Sequence, residues 1–403
     1  MYRCISQLRG LVIDVNTFDE ISVDEWKQIT ERYKCLFLTT DEEQNEKYKS
    51  VYGDAAVYKL ATFVKLFAPN QSTHANVLKL LRLKATEVAY VSKSRTFLDH
   101  AMCFLGGTIW VTSEITYQDA GKAPDLICKD FYIFRQLVLN DIKGFLGEVA
   151  VYPDDDSRGM IIPLVLEVKD EEYPMYTLGR YFGYSHYMSQ LHPYSSALYL
   201  NKHEGGKAFG VFNGVFANLY ACAVKRIQAL DTVDGIVAVP IRPGKIERFE
   251  PILESVSTKC EIVNLNDNFK CIRNYPTQKS LSSIERQENV AGAFRYNGRL
   301  DGKHIILIDD IITTGATVSE CVSALKRCGV KRVSIVVLAI NQIQGNYWSS
   351  DVAQVNCSKC GEKMHLLINS KNMEFFYSCY GCHNTKKFET GEKELYNWVN
   401  KEM

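Results

Sequence analysis

Two adjacent carboxylates, Asp309 and Asp310, follow the apolar run Ile305, Ile306, Leu307 and Ile308 and precede a turn of small and hydroxylated residues, Thr313, Thr314, Gly315, Ala316 and Thr317. The apolar run suits a parallel strand covered on both faces, which delivers its carboxyl end to a ligand crevice. Beyond the turn, Val318, Cys321, Val322 and Leu325 fall on one face of a helix. A phosphate fits the N-terminus of such a helix, because its first backbone N–H groups have no partner within the helix. The carboxylates beside it then accept hydrogen bonds from ribose hydroxyls, directly or through a bound Mg²⁺. One turn would hold both ends of a ribose 5-phosphate.

A second cluster lies near the C-terminus. Cys357-x-x-Cys360 and Cys379-x-x-Cys382 are separated by about the length of a β-hairpin, with strands expected at 364–368 and 374–378. This resembles a zinc ribbon holding Zn²⁺ on four cysteines. Four thiolates leave no open position for substrate, so the metal would be structural; a redox dithiol or disulfide pair is the alternative.

Composition sets limits. The chain has 403 residues, enough for two to three domains, and 13 cysteines, an odd number that fits reduced thiols better than a disulfide framework. With 47 basic and 47 acidic residues, broad electrostatic attraction to nucleic acid is not expected, although Lys359, Lys363, Lys371, Lys386 and Lys387 give the ribbon a basic face. No apolar stretch suits a membrane span and no cleavable leader is recognised, so the expectation is a soluble cytoplasmic protein. A protein or nucleic-acid partner of the ribbon is compatible with this pattern, and oligomeric state is left open.

The segment 304–317 resembles the phosphoribosyl diphosphate (PRPP) motif of the type I phosphoribosyltransferases. By that resemblance Asp309 and Asp310 hold ribose while 313–317 hold its 5-phosphate. Residues 235–239 look like a second strand, ending at Pro240-Ile-Arg242-Pro-Gly-Lys245, where the family has its pyrophosphate loop. Gln278, Leu281, Arg286, Asn289, Ala293 and Phe294 resemble a pattern of the ComF-type (competence-protein-like) subfamily, as do Tyr194, Leu198 and Lys202 ahead of its first helix. The turn after the second strand keeps Arg248-Phe249 but departs from the subfamily's Gly-Phe-Asn. The resemblance implies displacement of pyrophosphate from C1 of ribose, with Arg242 and Lys245 on the leaving group and Lys279, Arg286 and Arg295 on a flap. A binding module that senses PRPP or a nucleotide 5-phosphate, in stress response or DNA uptake, is the rival reading.

The first 150 residues alternate strands and helices: strands at 11–17, 35–40, 88–92 and 108–112, helices at 76–83 and 96–105. This order resembles the haloacid dehalogenase (HAD) superfamily. Asp14 matches its nucleophile and Thr39 its phosphate-binding hydroxyl, while 123–137 looks like its closing strand and helix. Asn16 replaces the second aspartate, and Val91-Ser-Lys-Ser94 stands where metal-binding carboxylates belong. These changes imply a degenerate site with weak Mg²⁺ affinity; phosphatase action at Asp14 is a further alternative.

The expected architecture is α/β and multidomain: a HAD-like Rossmannoid sheet over 1–153, a type I phosphoribosyltransferase parallel sheet over 154–350 and a small zinc-ribbon β domain over 351–403. The polar loop 154–159 marks the first boundary. Between 172 and 199, Tyr173, Tyr176, Tyr181, Tyr184, Tyr187, Tyr194 and Tyr199 either pack domains together at helix-like spacing or stack on a base.

Overall fold

The computed structural model describes residues 8–60, 71–103, 106–140, 144–151, 159–184, 186–276, 282–343 and 355–390. Gln278, Lys279 and Leu281 of the expected flap, and most of the boundary loop 154–159, lie outside them.

Six short strands form the first sheet: β1 (Gly10–Asp14), β2 (Lys34–Thr39), β3 (Val57–Lys59), β4 (Val88–Ser92), β5 (Gly107–Val111) and β6 (Leu126–Cys128). They are parallel throughout, in the order β3-β2-β1-β4-β5-β6. The order reverses between β1 and β4, which opens a crevice at their carboxyl ends. Every residue of β1, β4 and β5 is buried, as continuous apolar strands covered on both faces must be. Helices Gln71–Leu81 and Arg95–Cys103 stand near 76–83 and 96–105, where periodicity expects them. The last helix, Phe131–Leu139, starts where the Asp130 carboxylate accepts the Ile133 N–H.

The second sheet comprises β7 (Ile162–Val168), β8 (Glu171–Thr177), β9 (Arg180–Tyr181), β10 (Gly235–Ala238), β11 (Val263–Asn264), β14 (His304–Ile312) and β15 (Arg332–Asn341). Its order is β11-β10-β14-β15-β8-β7, with β9 pairing beyond β8 on β15. The pairs β10–β14 and β14–β15 are parallel, and helix Ala316–Lys326 supplies the crossover that the second of them requires. At the other edge, β7 and β8 form an antiparallel hairpin. Its two turn residues, Lys169 and Asp170, have φ of 51° and 62°, the backbone that a tight two-residue hairpin demands. The hairpin corrects the helix-like spacing expected of Tyr173 and Tyr176, which lie on β8. β12 (Phe269–Cys271) and β13 (Phe294–Tyr296) make a separate antiparallel pair.

The two sheets share one apolar core, in which Ile13 and Phe37 join the same cluster as Ile305 and Leu307. Their joint also contains buried charge. Arg180, 1% exposed, donates to Asp125 at 2.8 Å and to both carboxylate oxygens of Glu148 at 2.8 Å, and His192 Nε2 lies 3.2 Å from Glu148. Burial alone would raise the Glu148 pKa, yet the charges of Arg180 and His192 outweigh it and hold the group down at about 2. Nearby, the Gln342 side chain accepts from the Ala123 N–H and donates to the Ala120 carbonyl.

At the C-terminus β16 (His365–Ile368), β17 (Phe375–Ser378) and β18 (Thr385–Lys387) form an antiparallel sheet, one strand more than the sequence suggested. It is fastened to helix Pro193–Asn201 and the turn before it. Ser196 donates to the Leu366 carbonyl at 2.6 Å, Gln190 to the Met364 carbonyl at 2.6 Å, and Tyr377 to the Gln190 carbonyl at 2.6 Å. Among the described residues no helix is long and apolar enough to cross a membrane.

Candidate functional site

Residues 305–308 of β14 are fully buried, and the strand continues through Asp309 and Asp310 to Ile312, longer than the apolar run alone suggested. Each carboxylate folds back on the next backbone amide: Asp310 N–H donates to Asp309 and Ile311 N–H to Asp310. The Tyr220 hydroxyl donates to the Asp309 carbonyl at 2.7 Å. Asp310 faces cations, with Arg248 donating to it at 2.9 Å and Lys202 Nζ 3.7 Å away. The two groups therefore titrate in opposite directions. Burial, reinforced by the neighbouring Asp310 charge, pushes Asp309 up; for Asp310 the same burial is outweighed by Arg248 and Lys202, and its pKa falls.

Past the strand, Gly315 adopts φ +79° immediately before helix Ala316–Lys326, a left-handed conformation that suits glycine, and an added Cβ would stand 3.2 Å from Leu166. Thr313 is held on both sides. Its carbonyl accepts at 2.6 Å from the hydroxyl of Tyr117, which lies between β5 and β6 of the first sheet, and its hydroxyl lies 3.4 Å from Arg286 on helix Ser283–Val290. The turn thus joins Thr313, Thr314, Gly315, Ala316 and Thr317 to the carboxylate pair and brings Arg286 to it.

Arg242 and Lys245 are differently engaged. Arg242 donates to the Tyr275 carbonyl at 3.0 Å and its guanidinium stands 5.4 Å from that ring's centroid, whereas Lys245 pairs with Glu204 at 3.1 Å. The cations beside Asp310 are instead Arg248 and Lys202, neither of them among the site residues the sequence motifs imply. Both had a signal, since Arg248 was the retained part of the altered turn and Lys202 ended the tyrosine-led stretch. That stretch is itself a helix, Pro193–Asn201, rather than the approach to one. Tyr220 and Tyr117 had no sequence signal.

In the first sheet, Asp14, Asn16, Thr39 and Ser92 meet at the carboxyl ends of β1, β2 and β4. Ser92 donates to Asp14 at 2.7 Å and Asn16 to its other oxygen at 2.9 Å; the Asn16 side-chain oxygen accepts from the Thr39 hydroxyl and from the Thr40 amide. Lys93 turns away to pair with Glu20. Burial raises the Asp14 pKa against these hydrogen bonds.

The Cys357, Cys360, Cys379 and Cys382 sulfurs all lie within 4.8 Å of one another, with nearest pairs at 3.4 and 3.6 Å. A tetrahedral ion with metal–sulfur bonds of about 2.3 Å needs edges of roughly 3.8 Å, so the donor set fits zinc. The Lys359 amide points at the Cys357 sulfur at 3.4 Å and, ahead of other hydrogen bonds, draws that thiol down to about 6, toward the thiolate a metal needs.

Residues 269–361 match the family described as phosphoribosyl transferase domain. Competence protein F of Haemophilus influenzae is 29% identical over 124 residues, which cover 28% of this chain and 54% of that protein. DNA utilization protein YhgH of Escherichia coli is 39% identical over 59 residues, 15% of this chain and 26% of that protein. The chain therefore spans about half or less of the length of these relatives. Among solved structures, UMP synthase of Leishmania donovani overlaps 82% of this chain and 65% of its own at 13% identity, with a TM-score of 0.25, a likeness that carries no argument. What the comparisons support is thus the region that holds β14, the paired carboxylates, the glycine turn and the first cysteine knuckle: over 269–361 the chain is similar to a phosphoribosyl transferase domain.

Proposed function

We propose that this protein binds PRPP, or a nucleotide carrying ribose 5-phosphate, at Asp309, Asp310 and the 313–317 turn, and transfers the phosphoribosyl group in a ComF-type reaction. The observation that carries this reading is the carboxylate pair at the end of β14 directly joined to a glycine-led helix N-terminus, with Arg248 and Lys202 alongside. A nitrogen lone pair of the acceptor forms the bond to C1, and the C1–O bond breaks with its electrons leaving on pyrophosphate. The acceptor's N–H proton passes to solvent. No covalent nucleophile is needed, so the protein's work is positioning and charge stabilisation. Asp309 and Asp310 offer the hard oxygens that Mg²⁺ takes, and would hold it together with substrate oxygens; when bound, it neutralises charge on the leaving pyrophosphate. Arg286 would close on the 5-phosphate end beside Thr313.

A second reading is a sensor that binds without turnover. It is favoured by the pairing of Arg242 and Lys245 with Tyr275 and Glu204, which draws both from the leaving-group role, and by the Tyr117–Thr313 bond linking the first domain to the phosphate turn. The words competence and DNA utilization in the relatives' names agree with this reading loosely. In either case we take 1–153 as a HAD-like domain whose Asp14 no longer acts on phosphate, 154–350 as the phosphoribosyltransferase-like part and 351–403 as a structural zinc ribbon.

Calorimetric titration with PRPP and Mg²⁺, beside an Asp309→Asn, Asp310→Asn double variant, tests the site. Binding that the double variant abolishes is the expected result, and binding by neither protein rejects the site altogether. A pyrophosphate-release assay across nucleobases then separates transferase from sensor.

A further inference from the structure

A cavity of about 840 Å³ opens beside the 313–317 turn, with Thr313 and Arg286 at its edge and the C-terminal sheet as its far wall. Rings of that sheet and of the main body form a column there. His365 and Tyr380 stack with centroids 3.8 Å apart and planes 11° from parallel; Tyr184 continues the column at 5.5 Å and 13°, and Lys363 stands 4.8 Å from the Tyr184 centroid. The rings are not packing a core, because Tyr184 is 66% exposed and Tyr380 57%. Tyr199, also largely exposed, lines the same cavity. Exposed apolar rings gathered in one concave place indicate a ligand rather than stability.

The column's position is fixed by the metal knuckle and the strand beside it. Tyr380 is the residue after Cys379 in Cys379-x-x-Cys382, and His365 begins β16, whose neighbouring carbonyls accept from Gln190 and Ser196 of the main body. A stack held this firmly presents an aromatic face at low entropic cost, and such faces bind heteroaromatic rings without demanding a particular hydrogen-bond edge. Burial lowers the His365 pKa, disfavouring the charged form of its ring. The cavity's volume lies in the range of sites that enclose a whole small molecule, larger than a bare base fills.

We propose that the C-terminal sheet, together with Tyr184 of the segment after β9, supplies the ring-binding subsite of this protein: the planar heteroaromatic group of a nucleotide stacks against the Tyr184–His365–Tyr380 column while its phosphate end lies toward Thr313 and Arg286. This rests on the ribose-phosphate reading of the turn, which it extends to the class of ligand. The zinc knuckle then serves selectivity as well as folding, since it carries Tyr380.

The test is calorimetric titration of the full-length, zinc-loaded protein with adenosine 5′-monophosphate, uridine 5′-monophosphate and, lacking any ring base, ribose 5-phosphate. At least one nucleotide should bind about tenfold or more tighter than ribose 5-phosphate, the scale of one base–aromatic stack. Tyr380→Ala should erase most of that excess and leave ribose 5-phosphate affinity unchanged. Tyr184→Leu, outside the cysteine knuckle, should do the same with zinc content intact, so a folding defect of the first variant does not decide the matter. Nucleotides binding no tighter than ribose 5-phosphate, or an excess surviving both substitutions, overturns the ring subsite while leaving the phosphate turn standing. If instead the proteins bind nucleotides but not ribose 5-phosphate, and Asp309→Asn, Asp310→Asn changes nothing, the ribose-phosphate reading fails and the stacking subsite stands alone.

Discussion

Asp14 and Asp309 occupy equivalent places, each near the carboxyl end of a central strand in a parallel sheet, and burial raises the pKa of both. Their surroundings differ. Asp14 is answered by neutral donors, Ser92 and Asn16, and the nearby Lys93 is committed to Glu20. Asp309 has a second carboxylate beside it, two cations against that neighbour and a helix N-terminus a few residues on. Topology thus offers a crevice in both sheets, but a charged ligand needs fixed charges and unpartnered amides in it. Among the described residues, Arg248 and Lys202 supply such charges beside Asp310, whereas Asp14 meets neutral donors.

The largest expected effect comes from breaking the joint that holds the two sites together. Arg180→Met leaves Asp125 and Glu148 buried without their cation, a loss of about 3–5 kcal/mol in denaturant unfolding. Because the Glu148 pKa is depressed in the folded protein, its contribution is present above the ordinary carboxylate range and is lost as pH falls from about 4.5 toward 2. The variant should lack that acid-dependent loss; an unchanged unfolding midpoint and acid limb would show that the joint contributes nothing.

Next in size, Arg248→Met makes the second site more like the first. Losing a charged hydrogen bond worth about 1.5–3 kcal/mol should weaken PRPP binding on the order of 10- to 150-fold. Equal affinity in the variant would mean that Arg248 only screens Asp310.

The smallest effect concerns the two raised carboxyls. A carboxyl whose folded pKa lies above its unfolded value, as burial makes that of Asp309, favours the folded state at low pH, and that advantage disappears as pH rises through the folded pKa. Asp309→Asn should therefore raise the melting midpoint at pH 8 relative to wild type, by roughly 1 °C per kcal/mol relieved, with less gain at pH 5. Asp14→Asn should show the same direction more weakly and leave turnover of small phosphomonoesters at background. Metal-dependent turnover by the wild type that this substitution removes would restore a phosphatase reading.

Much of this contrast was legible in the residues. Four consecutive apolar residues before two aspartates left β14 little choice but a central strand, and the cysteine spacing specified a knuckle because two residues are what a chelating turn needs. The partners of the carboxylates were harder to read. Arg242 and Lys245 sit in the expected loop, yet Tyr275 and Glu204 take them, and Arg248, a few residues on, reaches Asp310 instead. Spacing along a loop does not determine which side chain points inward. The tyrosines divided in the same way: Tyr173 and Tyr194 are buried, whereas Tyr184 and Tyr199 line the cavity.

The sequence by itself determined the elements whose information is local: a buried strand, its acidic end, a glycine turn opening a helix, and two cysteine knuckles. Each is set by periodicity or by backbone conformations that few residues adopt. Tertiary structure alone decided that Tyr117, between β5 and β6, would donate to Thr313, that Arg180 would weld the sheets, and that Tyr380 would face the cavity beside the 313–317 turn. Those contacts join residues far apart in the chain, and only the packing of the shared core brings them within hydrogen-bonding or stacking distance.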